Sequence, residues 1–300
     1  MFPPSAPPEA SSLPPGASLS VLSESPLIYT IDGFLCGEEI ARFLDLARGR
    51  LRRARVVAGS GSELDAARVK SDGRTNSSCW VPGYDPLLAG VEQRICGMLG
   101  VPERNSERFQ VIHYDKGQLY APHLDTHAVT TDETPGGQRT ATVLLYLNDV
   151  EQGGATEFVN LGLSVEPRAG RLLCFHNCLP GTNAPDSRLL HTGTAVARGE
   201  KWAVNKWVRE RCIRLNYEQE SDPSSVHLGM SRAEVLELIA EMELEDMLGV
   251  IEDEAVALPP GPGADAQRRG EADAVAAAVT ELGADRCRAM LRQHFGIDCD

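Results

Sequence analysis

Ala141-Thr142-Val143-Leu144-Leu145-Tyr146-Leu147 is the run whose reading decides the fold. It is apolar almost throughout and too short for a stable helix. Such a run reads as a strand buried on both faces. Its neighbours have the same character: Phe109–Tyr114, Leu172–Phe175, Leu189–Ala197 and Trp202–Val208 are all short and rich in β-formers. Turn residues separate them, at Pro135-Gly136-Gly137, Gly153-Gly154 and Pro180-Gly181. Many short strands punctuated in this way predict a sandwich or barrel. Upstream the period changes. Ile40, Phe43, Leu44 and Leu46 predict a helix over residues 37–53, and Leu87, Leu88, Val91, Ile95 and Leu99 predict another over residues 85–99. The chain therefore reads as helices first and a β-core after them.

The two ends differ from this centre. Residues 1–24 are rich in Pro, Ser and Ala and predict a disordered leader, because such residues bury too little to offset the entropy of ordering. They carry neither a basic n-region nor an apolar h-region. Residues 25–212 form the expected folded domain. Residues 213–300 predict an acidic, helical extension. Ser231-Arg-Ala-Glu234 fits a capping box ahead of an apolar helical face, and residues 271–295 predict further helix. Residues 221–300 are a candidate platform for a protein partner.

Composition excludes several classes of function. Of 300 residues, 42% are hydrophobic, enough for a sizeable core, and the net charge of −14 argues against nucleic-acid or anionic-membrane partners. No run approaches the roughly 20 apolar residues of a membrane helix. The eight cysteines are scattered without a CxxC pair, which predicts reduced thiols and a cytoplasmic protein.

The chemistry starts at Tyr120-Ala-Pro-His123-Leu-Asp125-Thr-His127. In extended chain, residues i and i+2 share a face, so His123 and Asp125 aim an imidazole and a carboxylate at one point. A third ligand from a distant strand would complete two His and one carboxylate, the facial set of non-haem iron(II) oxygenases. By position alone His176, His191, His227 and His294 all qualify. Lys201, at the head of an apolar strand, stands out among few lysines; a snorkelling surface lysine is its bland alternative.

Residues 109–209 resemble the catalytic core of the prolyl 4-hydroxylase family. The matching stretches are Tyr114-Asp-Lys-Gly-Gln-Leu-Tyr120-Ala-Pro-His123-Leu-Asp125, Arg139-Thr-Ala-Thr142-Val-Leu-Leu-Tyr-Leu147 and Gly153-Gly-Ala-Thr156-Glu-Phe158. They continue through Pro167-Arg-Ala-Gly170 and from His191 to Lys201-Trp202-Ala-Val-Asn-Lys206-Trp207. Upstream, Asp32-Gly-Phe34-Leu35 looks like the family's domain start, and Arg74-Thr75-Asn76-Ser77 looks like its loop beside the substrate cleft. The resemblance implies a mainly β protein with flanking helices, built on a double-stranded β-helix, or jelly roll. It implies an iron(II)- and 2-oxoglutarate-dependent dioxygenase that consumes O2 and releases succinate and CO2, with ascorbate as reductant. Metal ligands would be His123, Asp125 and His191. Lys201 would pair with the distal carboxylate of 2-oxoglutarate, Tyr114 and Thr142 would help hold that co-substrate, and Trp207 would line its pocket. The implied substrate is a prolyl residue of a peptide or protein, with Arg74, Tyr120, Trp80 and Arg139 as candidate contacts. The alternatives are the same chemistry on another side chain or a free amino acid, and a catalytically silent binding module.

Overall fold

The computed structural model describes residues 3, 6–54, 56–57, 68–69, 73–81, 85–127, 130 and 136–214. In chain order the strands are β1 (Ser18–Glu24), β2 (Leu27–Asp32), β3 (Arg52–Arg53), β4 (Val56–Val57), β5 (Arg68–Val69), β6 (Ser77–Trp80), β7 (Gln110–Tyr114), β8 (Tyr120–His123), β9 (Arg139–Tyr146), β10 (Gln152–Gly153), β11 (Thr156–Phe158), β12 (Leu163–Val165), β13 (Leu172–His176), β14 (His191–Gly193), β15 (Val196–Arg198) and β16 (Lys201–Arg209). Helices α1 (Gly37–Ala47) and α2 (Pro86–Met98) precede β7. None of the helices described is long and apolar enough to cross a membrane.

Two antiparallel sheets make the jelly roll. The major sheet runs β1-β2-β13-β9-β16-β7-β6-β3, and the minor sheet runs β12-β11-β14-β8. Central strand β9 shows why both of its faces are apolar. Ala141, Val143 and Leu145 point to a core shared with Phe43 of α1 and Leu88, Val91 and Ile95 of α2. Leu144 and Tyr146 point the other way, to a second core with Phe158 of β11 and Phe175 of β13. The two-residue strand period places the residues between on alternate sides. The same parity on β16 sends Val204 and Val208 toward the helices and Ala203 toward the minor sheet. Lys201, Ala203 and Trp207 thus share the inner face with Thr142, Tyr146 and Tyr114.

Several expectations need adjustment. Residues 18–24 are not disordered, since β1 pairs antiparallel with β2 from Ser18↔Asp32 to Glu24↔Leu27. An edge strand is held by its backbone ladder, so its exposed Val21 and Leu22 carry little compositional signal. Helix α1 stops at Ala47, six residues before its expected end, and the chain turns at Gly49, whose φ of +78° a helix cannot continue. The expected strand over Leu189–Ala197 is split into β14 and β15. The helical extension over residues 213–300, including the candidate partner platform at 221–300, lies outside the described residues apart from its first two. The described cysteines, Cys36, Cys79, Cys96, Cys174, Cys178 and Cys212, are free thiols.

Candidate active site

His123 ends β8 and His191 begins β14, and the two residues are direct partners in the minor sheet. Their rings lie 4.3 Å apart between centroids. Asp125 follows β8 by two residues. Its Oδ1 is 3.6 Å from His123 Nε2 and its Oδ2 is 3.9 Å from His191 Nε2. One donor atom from each residue falls within 4.8 Å of the others.

Each ring is oriented by the backbone. His123 Nδ1 lies 2.9 Å from Ala121 O, and His191 Nδ1 lies 3.0 Å from Leu189 O. A carbonyl oxygen only accepts, so each Nδ1 carries the hydrogen and each Nε2 offers a lone pair to the shared centre. Burial pushes His191 down to about 4, and the nearby His123 adds to this. Burial opposes ionisation of Asp125, but the polar surroundings supplied by the adjacent His123 and His191 and by the Arg139 guanidinium outweigh burial and hold the carboxyl far below the usual range. A neutral His191 and an ionised Asp125 are in the protonation states that metal ligands need. Two Nε2 atoms and a carboxylate on one side of a point fit an octahedral iron(II) that keeps open positions.

Around this cluster lie the other expected residues. Lys201 is 3% exposed and heads β16, opposite Tyr114. Its Nζ donates to Gly154 O at 2.7 Å and stands 5.4 Å from the ring centroids of both Tyr114 and Tyr146. Among the described residues no carboxylate forms an ion pair with it, and burial pushes its ammonium down to about 7. The Gly153-Gly154 turn permits this packing. Gly153 has φ +78°, and a Cβ there would sit 2.2 Å from Ala195 O. Tyr114 is buried, with its hydroxyl directed at Gly193. Thr142 turns its hydroxyl onto the cluster itself and donates to Asp125 Oδ2 at 2.7 Å. Trp207, paired with Thr142 across β16 and β9, is buried under the Arg139 guanidinium at 4.0 Å. Its Nε1 is buried with no hydrogen-bond partner among the described residues.

The candidate substrate contacts form two walls. On one side the Arg74 guanidinium lies 4.6 Å from the Tyr120 ring, which stacks on His123 at 3.5 Å. On the other, Arg139 and Trp207 continue to Trp80, 6.1 Å from Trp207 and 37% exposed. Arg139 is also a structural residue, since it forks onto Glu107 at 2.7 and 2.9 Å. His127 bonds Arg209. His113 packs its ring at a tilt against Trp202 and pairs with exposed Glu200, on the outer face of the strands that present Tyr114 and Lys201 inward.

Four contributors escaped the sequence reading. Tyr146, whose ring lies beside Lys201 Nζ, donates its hydroxyl to Thr156 at 2.8 Å. Glu107 clamps Arg139 and Arg209. Asn177 bonds Thr142. Their signals were weak because each acts on a residue far away in sequence.

A β-helix that brings two histidines and an aspartate together beside a buried lysine defines the class of iron(II)/2-oxoglutarate oxygenases. The sequence pattern of the 2OG-Fe(II) oxygenase superfamily matches residues 109–209. The chain is 32% identical over 219 residues to a probable prolyl 4-hydroxylase 7 of Arabidopsis thaliana, covering 67% of this chain and 68% of that one. It is 36% identical over 211 residues to prolyl 4-hydroxylase 1 of the same plant, covering 64% and 71%. Among solved structures, the viral collagen prolyl hydroxylase of Paramecium bursaria Chlorella virus-1 aligns with a TM-score of 0.47 and 26% identity, over 61% of this chain and 95% of that one. The chain belongs to the prolyl 4-hydroxylase family, and it is a 2-oxoglutarate-dependent dioxygenase.

Proposed function

We propose that this enzyme hydroxylates a prolyl residue within a peptide or protein, with iron(II) held by His123, Asp125 and His191. With iron(II), 2-oxoglutarate and O2 bound, such a centre couples oxidative decarboxylation of 2-oxoglutarate, to succinate and CO2, with transfer of one oxygen atom into an unactivated C–H bond. The protein's part is placement. Lys201, buried at the head of β16, would pair with the distal carboxylate of 2-oxoglutarate, selecting a dicarboxylate of one length. Tyr114, close to Lys201, would add its hydroxyl to that carboxylate, and Trp207 would wall the pocket. Tyr120 and Arg74 on one side, and Trp80 and Arg139 on the other, would flank an extended peptide laid across the metal. Aromatic faces suit a proline ring, which is apolar and rigid.

The observation that carries this reading is the coincidence of the His-Asp-His cluster with a buried lysine that no described carboxylate pairs. A hydrolytic metal site has no use for such a cation. Ascorbate would serve as reductant for turnovers that occur without substrate. The free thiols support a reducing compartment, and we place the protein in the cytoplasm. Succinate release from 2-oxoglutarate should rise when a Pro-rich peptide is added and vanish in Asp125→Ala. Succinate release that persists in Asp125→Ala, or none in the wild type, would overturn the proposal.

A further inference from the structure

Asp125 has two oxygens, and the cluster needs only one of them. Thr142 occupies the other, donating to Oδ2 at 2.7 Å. A threonine hydroxyl has one hydrogen, however, and could spend it elsewhere. Asn177 decides where it goes.

Asn177 follows β13 directly and is 2% exposed. Its backbone is clamped at both ends: its N–H donates to Thr140 O at 2.9 Å, and its carbonyl accepts from Asp186 N at 3.0 Å. The side chain therefore has a fixed origin, facing Thr142 across the strand pair. Asn177 Nδ2 donates to Thr142 Oγ1 at 2.9 Å, while Asn177 Oδ1 stands 3.3 Å from the same oxygen. The hydroxyl hydrogen could in principle turn to Oδ1. The carboxylate wins, because the path to Asp125 is shorter and the bond to an ionised acceptor is the stronger kind. With the hydrogen on Asp125, a lone pair of Oγ1 is left to accept from Asn177 Nδ2. The two bonds point the same way and reinforce each other.

Resting on the metal assignment above, we infer that Asn177 is a positioning residue for the metal centre, acting through Thr142 to hold Asp125 as a one-oxygen ligand. The consequence is a count of open positions. Two imidazoles and one carboxylate oxygen leave three sites on an octahedral metal, enough for two donors from 2-oxoglutarate and one for O2. A carboxylate free to rotate could offer both oxygens and remove one of those sites. The relay Asn177–Thr142–Asp125 ties Oδ2 down and prevents this. Partners of this kind around metal ligands typically govern 10–100-fold of metal affinity or activity.

The test uses the full-length protein with Co(II) as the probe, read by its absorption spectrum and by calorimetry without O2. Asn177→Leu keeps the approximate volume and removes the donor. Thr142→Val removes the hydroxyl, and Thr142→Ser retains it. Asn177→Leu and Thr142→Val should each weaken Co(II) binding about 10–100-fold and weaken subsequent uptake of 2-oxoglutarate, with an altered Co(II) spectrum. Thr142→Ser should bind like the wild type. The double variant should bind no worse than the weaker single one, because both act through one link. It should also regain thermal stability relative to the singles, since exchanging both partners for apolar groups leaves none stranded. A merely structural role would make affinity follow stability. If Asn177→Leu does not fold, Asn177→Ser, too short to reach Thr142, takes its place. Wild-type Co(II) affinity and spectrum in the Asn177 variants, or losses that multiply in the double variant, would overturn the inference. Asp125→Ala separates the two levels. If it leaves Co(II) binding intact, the metal assignment falls and the inference with it. If it abolishes binding while the Asn177 variants are silent, only the inference falls.

Discussion

Replacing Lys201 with methionine should make the protein more stable and bind 2-oxoglutarate far more weakly. Lys201 is fully enclosed, and burial pushes its ammonium from 10.5 to about 7. A drop of that size represents roughly 5 kcal/mol of unfavourable charge burial, at 1.36 kcal/mol per pH unit. The variant loses the bond to Gly154 O, and a stranded buried acceptor costs about 1–3 kcal/mol. The net expectation without co-substrate is a gain of about 2–4 kcal/mol. The sign follows from proton counting. Between about pH 7 and 10.5 the unfolded chain holds a proton that the folded lysine has released, so wild-type stability rises with pH across that window. Below about pH 7 the folded lysine must be charged and the penalty is complete. The advantage of Lys201→Met should therefore be largest near pH 6 and fade toward pH 10. Co-substrate binding should move the opposite way, since removing one partner of a buried ion pair costs about 3–5 kcal/mol, or at least 100-fold in affinity. Urea unfolding at several pH values, with calorimetric titration of 2-oxoglutarate, reads both effects. The reasoning fails if Lys201→Met is less stable than the wild type at pH 6, or if it binds 2-oxoglutarate within tenfold of wild type.

Other residues make separate predictions. Glu107 is buried between Arg139 and Arg209, whose charges outweigh its desolvation and draw it down to about 2. Its stabilising contribution should be complete above about pH 4.5 and drain away toward pH 2, and Glu107→Gln should cost about 3–5 kcal/mol at pH 7 and progressively less on acidification, read by urea unfolding. Gly153→Ala must place a Cβ against Ala195 O at positive φ, so thermal unfolding should show a loss of about 1–3 kcal/mol or more, with weaker 2-oxoglutarate binding because Gly154 carries the Lys201 acceptor. Trp80→Ala should raise the peptide KM by roughly 5–30-fold, as loss of an aromatic anchor does, and leave peptide-independent succinate release unchanged.

Much of the fold was legible because strand parity is a local property. The run around Thr142 and Leu145 is apolar on both faces, and the structure packs it on both. Where a segment's order comes from its neighbours, the pattern was silent: β1 exposes most of its side chains and is held by the ladder to β2. The candidate site divides in the same way. His123 and Asp125 lie close in sequence and could be read together. His191 lies far from them in sequence, and only the pairing of β14 with β8 sets it against His123. Before that pairing is known, position alone cannot separate it from His176, which sits on β13 with its Nε2 buried and without a hydrogen-bond partner among the described residues. Thr142 was read as a co-substrate ligand, and its hydroxyl is found on Asp125. That contact, the clamp of Glu107 on Arg139 and the reach of Asn177 to Thr142 each join two segments far apart in sequence, and none has a periodic signature.

The most direct test of the account is the fate of the oxygen atom. A Pro-rich peptide incubated with the enzyme, iron(II), 2-oxoglutarate, ascorbate and isotopically heavy O2 should gain one heavy oxygen on a prolyl residue. One succinate should form for each atom gained, and neither product should appear with Asp125→Ala. A peptide that gains no oxygen while succinate forms at the same rate without it would contradict prolyl hydroxylation.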